Sequence, residues 1–272
     1  TLYPMFLDAL GLAKISVGPP YFTVAFLIPM LPLTFLLAPG MHASWKRASF
    51  GRTKQLLAVL FVAALLLGVA IPIAAYGWRS VLSTIGIVIA LWILFSSLIE
   101  PIQRLRKGHS LSAGVLGMCI AHLGLALFIL GATIVESYEK ETDLSLAAGQ
   151  SAEHAGFVFT MNSLREVQGP NYRAIEGEIV VTRQGEQVAV LHPQKRVYRV
   201  QQNPMTEAGI DGAWNRDLFV AMGESLGNGA WSMRLQYKPM VRFIWLGAFV
   251  IALGGLIAAC DRRYRQRVPA EE

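Results

Sequence analysis

Long, nearly uncharged runs constrain this chain more than anything else in it. Stretches 22–39, 55–76, 81–99, 114–135 and 241–259 each approach the ~20 apolar residues a helix needs to cross a hydrocarbon core of about 30 Å. In lipid, a single spanning segment satisfies its backbone only as a helix. The 272 residues are 54% hydrophobic and 15% charged, with positive mean hydropathy, which is too apolar for one ordinary soluble domain. The expected fold is an α-helical polytopic membrane protein of about five transmembrane helices. The first run carries Pro29, Pro32 and Pro39, which should kink or shorten it.

The net charge of +6 sits in short clusters between the runs, which points to membrane topology and away from nucleic acid. "MHASWKRASFGRTK" (Lys46, Arg47, Arg52, Lys54), "QRLRKG" (Arg104, Arg106, Lys107) and the closing "DRRYRQR" all fall on one side of a five-span topology. The positive-inside rule makes that side cytoplasmic. The other face, which in a Gram-negative inner membrane is the periplasm, then receives the "GWRS" turn and residues 136–240. The opening "TLYPMFLDALGLAKISVG" has no initiating Met, basic n-region or cleavage site. It reads as the interior of a longer or split polypeptide.

Residues from about 138 to 238 alternate in short runs rich in Val, Ile, Phe, Tyr and Thr, the pattern of strands. "RQGEQ" has hairpin composition, and "QGPNY" and "GESLGNG" punctuate further turns. A small β-rich periplasmic domain inserted before the last span follows. The expected organisation is a membrane region over 1–135, the β-rich domain over 136–239, and the last span with a basic tail over 240–272. Tyr237, Lys238, Arg242, Phe243 and Trp245, at the entry to that span, have the composition of anchors to membrane lipid.

One residue stands out chemically. His122 lies inside "GMCIAHLGLALFILGATIVE", where an ionisable side chain is a functional candidate. Imidazole ligates haem iron and other metals; it also serves as a plain helix–helix hydrogen bond, and the residues alone leave both open. Gly117, Gly124 and Gly131 recur every seven residues on the opposite face, a smooth stripe for close helix packing. His122 shares its own face with Val115, Met118, Leu125 and Ile129. His42 and His109 read as solvated loop residues, and His154 and His192 as surface or turn residues without metal-ligand spacing. Cys119 and Cys260 read as buried small hydrophobes. Gly223, Gly227 and Gly229 lack a following helix and are not a phosphate loop, and Glu207, Asp217 and Glu224 have no carboxylate partner for acid–base work.

Several ordered strings then carry a resemblance: "TLYP", "ISVGPPYF", "AHLGLALFILG", "NYRAIEGEI", "KRVYRVQQNPMTEAGI", "RDLFVAMGE", "GAWSMRLQYKPMVRFIWLG" and "DRRYR". Together they resemble the C-terminal portion of the CcmF family, the haem lyase subunit of system I cytochrome c-type biogenesis. The resemblance implies a part in attaching haem to the C-x-x-C-H thiols of apocytochrome c. It implies the haem chaperone CcmE, the proteins CcmH and CcmI and an upstream CcmF-like portion as partners. It also implies a transmembrane b-haem (haem b) held between two intramembrane histidines, which reduces substrate haem. His122, in "AHLG", matches the second of those histidines and so becomes the expected axial ligand of haem iron. No catalytic residue follows. The family's tryptophan-rich WWD segment, its two periplasmic histidines and its first intramembrane histidine do not occur in these residues, so the lyase site is expected to be incomplete in this chain. The competing expectation is a non-catalytic membrane scaffold that presents a periplasmic partner-binding domain.

Overall fold

The computed structural model describes residues 2–12, 18–43, 51–200 and 202–261. Seven helices and ten strands follow in order: α1 Leu2–Ala9, α2 Pro19–Gly40, α3 Gly51–Tyr76, α4 Val81–Ser97, α5 Ile99–Arg106 and α6 Ala113–Tyr138, then the strands β1–β10, then α7 Val241–Ala259. Five helical segments are long and apolar enough to cross a membrane: Tyr21–Gly40, Thr53–Tyr76, Val81–Arg106, Ala113–Tyr138 and Val241–Ala259. The chain is a polytopic α-helical membrane protein with a β-rich domain inserted before the last of these helices. The cations Lys46 and Arg47 and the tail beyond Asp261 lie outside the described residues.

The three prolines do not break α2, which runs unbroken from Pro19 to Gly40. Proline at position 39 has no N–H, so the carbonyl of Phe35 loses its helical donor. The indole Nε1 of Trp92 on α4 donates to that carbonyl at 3.0 Å, while the Phe35, Phe61 and Trp92 rings pack around it. The backbone defect thereby becomes a tie between helices. On the other side of α4, Gly86 faces Thr133 of α6 so closely that a Cβ would stand 2.5 Å from its hydroxyl.

The glycine stripe on α6 does what its spacing predicts. A Cβ on Gly124 would meet Ile251 N at 2.6 Å, and one on Gly117 would meet Ala258 N at 2.4 Å. The fit is reciprocal, because Gly247 and Gly254 of α7 rest on Phe128 and Ala121. Two small-residue faces let the antiparallel backbones approach closely enough for dispersion to act between main chains. At one end of the pair, Ser112 Oγ accepts from Val115 N at 3.4 Å and Asp261, just past α7, accepts from Gly114 N at 2.7 Å. Two of the N–H groups that a helix start leaves unpaired are satisfied there. Asp261 is buried, and its carboxylate sits at the positive end of the α6 dipole.

The strands are β1 Lys140–Ala147, β2 Ser151–His154, β3 Phe157–Gln168, β4 Tyr172–Arg183, β5 Glu186–Leu191, β6 Gln194–Tyr198, β7 Pro204–Glu207, β8 Gly209–Gly212, β9 Arg216–Gly227 and β10 Ala230–Pro239. They form a four-stranded sheet, β1-β10-β9-β8, and a six-stranded sheet, β2-β3-β4-β6-β7 with β5 also on β4. All pairings are antiparallel. Gln184 and Gly185 both have positive φ, as the tight β4–β5 hairpin requires. Phe159, Met161, Ile179 and Val181 from one sheet meet Leu218, Val220, Met222, Met233 and Leu235 from the other in a closed core.

Of the five residues at the entry to the last span, Arg242 of α7 ties the sandwich to the membrane helices. Lys238 sits over the Phe219 ring, and Arg242 Nε donates to Asp217 at 3.0 Å. Tyr237 packs on Phe157, and Phe243 on Gly131. Trp245 faces outward, 74% exposed, and Arg242 is exposed as well.

Candidate functional site

α6 places His122 as its tenth residue, about 14 Å along the helix axis from Ala113. Its Nδ1 lies 2.8 Å from the carbonyl of Met118, one turn earlier. A carbonyl only accepts, so Nδ1 is the donor, and in the neutral ring Nε2 keeps the lone pair. The ring is half-buried. One turn further along, Leu125, Ala126 and Ile129 pack with Ile89 and Ile93 of α4 and with Leu31 and Leu37 of α2. In that neutral ring the lone-pair nitrogen lies on the side away from its own backbone. A metal-ligating histidine commonly has its other N–H bonded to a carbonyl in this way.

The other histidines separate by environment. His154 is not a surface residue: it is buried, its Nδ1 is 3.0 Å from Thr142 Oγ1 and its Nε2 is 3.1 Å from Lys140 O. Both nitrogens are engaged in joining the sheets, which leaves none for a ligand. His42 is not a solvated loop residue either, since its Nε2 donates to Ser96 O at 3.2 Å, just past the end of α2. Ser96 Oγ is buried without a hydrogen-bond partner among the described residues. His109 is exposed beyond α5. His192 lies 3.6 Å from a Glu176 carboxylate oxygen. Cys119 is buried, as expected, but Cys260 is exposed.

Among the described residues, no three His, Cys, Asp or Glu side chains converge as a metal site. Glu207, Asp217 and Glu224 are each held by a cation: Arg196 at 3.2 Å, Arg242 at 3.0 Å and Lys195 at 2.8 Å. Gly227 and Gly229 have positive φ in the β9–β10 hairpin, where glycine chemistry serves a turn.

Sequence reasoning missed the Glu176 cluster. Glu176 is buried on β4, between Arg165 of β3 (Nε at 2.8 Å) and Gln194 of β6, which also donates to it. Burial pushes its carboxyl upward, but the bonds from Arg165 and Gln194, with the Arg165 and His192 charges, outweigh that and hold it below the usual carboxylate range. The string "AIEGE" has no periodic signal for a buried acid, because the partners come from two other strands.

A single half-buried imidazole within a helical membrane layer, joined to a β-sandwich rich in ion pairs, defines a polytopic membrane protein with one candidate ligand position. A family description, "CcmF C-terminal beta-sandwich", matches residues 137–239. The cytochrome c-type biogenesis protein CcmF of Pseudomonas fluorescens is 42% identical over 98% of this chain and 41% of its own length. That of Escherichia coli K12 is 38% identical over 100% of this chain and 42% of its own. A solved "Cytochrome c Heme Lyase CcmF" superposes with a TM-score of 0.80 over 96% of this chain and 42% of that one, at 19% identity, which speaks to the fold. The chain corresponds to the C-terminal portion of the CcmF family of cytochrome c-type biogenesis proteins. It spans about two fifths of the length of those relatives.

Proposed function

We propose that this chain works as the C-terminal part of a cytochrome c haem lyase, with His122 as one axial ligand of a transmembrane b-haem. The observation that carries the reading is the Met118 carbonyl on His122 Nδ1, which takes up that nitrogen and leaves Nε2 as the one a metal would use. When bound, a bis-imidazole haem supplies one-electron chemistry. This chain's part is to hold the imidazole in place on α6 through the Met118 carbonyl. The described residues provide no second histidine inside a span, so in this reading a second ligand would come from an upstream CcmF-like portion.

In this reading residues 136–239 form the periplasmic domain and residues 1–135 and 240–272 the membrane unit with a cytoplasmic C-terminus, following the positive-inside rule. The sandwich docks the proteins that bring haem and apocytochrome together: CcmE, CcmH and CcmI in this family. Thioether formation itself draws on groups upstream of this chain.

One observation favours a second reading, a non-catalytic scaffold: the His122 ring already has a hydrogen bond within its own helix and is not an orphaned polar group. Cytochrome c yield decides between them in a strain whose only CcmF carries this C-terminal part. His122→Gln keeps a hydrogen bond but ligates iron poorly. The lyase reading predicts at least a tenfold fall in covalently attached haem, and normal yield would favour the scaffold.

A further inference from the structure

We infer that the outer end of the six-stranded sheet is a docking cleft for an acidic, extended polypeptide segment, with Arg173 and Arg199 as its two anchors. The inference rests on the proposed docking role of the sandwich and assigns the surface that performs it.

Strand register defines the cleft. Gln168, Arg173 and Val197 are cross-strand partners on β3, β4 and β6, and Glu166, Ile175 and Lys195 are the next set along. Cross-strand partners share a face, and on β4 this face continues to Ile179 and Val181 of the core. The sheet therefore carries its core-side face past the end of the core. Two adjoining hollows of about 390 and 280 Å³ lie there, sharing Gln168, Arg173 and Val197. Tyr172 and Tyr198 pack edge to face at 5.6 Å along the rim. Val197 and Ile175 give the hollows an apolar part among polar side chains, and tyrosine and arginine beside it are residues enriched at protein interfaces.

The charges identify the occupant. Between residues 139 and 240 there are ten Lys and Arg side chains, and six of them are ion-paired: Arg165, Lys195, Arg196, Arg216, Arg234 and Lys238. Among the described residues the other four have no ion pair, and two of these, Arg173 and Arg199, line the same hollow. Glu166 is the one carboxylate lining either hollow, and Lys195 is already taken by Glu224. Two guanidinium forks without an ion pair among the described residues match carboxylates spaced along an extended chain. A lipid headgroup is disfavoured by position. Gln168 is eleven residues along β3 from Phe157, whose ring packs on Tyr237 near the start of α7, and at 3.3 Å per residue that is about 36 Å of strand.

The test uses the full chain, together with its upstream portion, in detergent. The probe is a fluorescently labelled synthetic peptide of alternating Glu and Val, and the control is the same peptide with Gln for Glu. The Glu peptide is expected to bind in a salt-sensitive manner and the Gln peptide to bind at least tenfold more weakly. Arg173→Glu with Arg199→Glu should lose at least tenfold in affinity for the Glu peptide, whereas Lys140→Glu, a charge reversal elsewhere on the sandwich, should not. Thermal melts matched to the parent protein establish that the double variant is folded. Unchanged peptide binding in the double variant overturns the assignment. So does inorganic phosphate that competes with the peptide at equal concentration, since that marks a simple anion site. Co-purification from cells separates the two layers. Normal partner recovery with the double variant sinks this surface alone, and no partner recovery with the parent protein sinks the docking role beneath it.

Discussion

His122 and His154 illustrate how one side chain takes two roles at the residue scale. His154 has both nitrogens engaged by another strand and is buried; its substitution by Ala should cost about 1–3 kcal/mol, the range for leaving buried polar groups unpaired. His122 has one nitrogen engaged by its own helix, so that bond ties no two elements together and leaves Nε2 outside it. Sequence position distinguished His122, because an imidazole among twenty apolar residues is conspicuous. It gave no sign that His154 was buried, since Thr142 and the Lys140 carbonyl reach it from another strand. Glu176 was illegible for the same reason, and it sets a pH dependence. Its pKa is held low in the folded state, so its contribution to stability is complete above the ordinary glutamate pKa of about 4.3 and is lost as pH falls through the depressed value. Glu176→Gln should flatten the acid limb of a stability-versus-pH curve followed by thermal melting below about pH 4.5. An unchanged acid limb would remove Glu176 from the account.

At the scale of elements, small residues and defects set the helix contacts. The seven-residue glycine repeat of α6 was legible because a straight helix returns nearly to the same face every seven residues, but its partner stripe on α7, Gly247 and Gly254, went unread. Gly124→Leu would place side-chain atoms where Ile251 N already stands. It should sharply reduce the yield of folded protein in detergent, measured by size-exclusion chromatography, while Gly255→Leu, at a position with open space, should be tolerated. The α2 prolines show the opposite limit. Their effect on the backbone was predictable from covalent chemistry, but not the indole that repairs it, because Trp92 is 57 residues away. Trp92→Phe should cost about 1–3 kcal/mol by leaving the Phe35 carbonyl without a donor. In a Pro39→Ala background the helix supplies its own N–H, so the same change should cost less; equal losses in a double-mutant cycle would refute the coupling.

For the whole molecule, the alternation of long apolar runs with one β-rich stretch was sufficient to read the architecture, because lipid leaves so few solutions for a backbone. Beyond its reach were the pairing order of ten strands, the short helix α1, and the break that sets α5 off from α4 within the Val81–Arg106 segment. The proposed orientation makes a direct prediction for intact spheroplasts. A cysteine introduced at exposed Gln187 in the β4–β5 region, in a Cys119→Ala, Cys260→Ser background, should react with a membrane-impermeant maleimide from outside. One placed at exposed Lys107, beyond α5, should react only after lysis. Labelling in the reverse order would invert the topology.

The most direct measurement of the central claim is a reduced-minus-oxidised absorption spectrum of this chain purified with an upstream CcmF-like portion, with His122 intact and with His122→Ala. The account predicts a b-type spectrum that needs both portions and falls at least tenfold in the variant, with the folded yield unchanged. Full b-type haem content without the imidazole of His122 would contradict it.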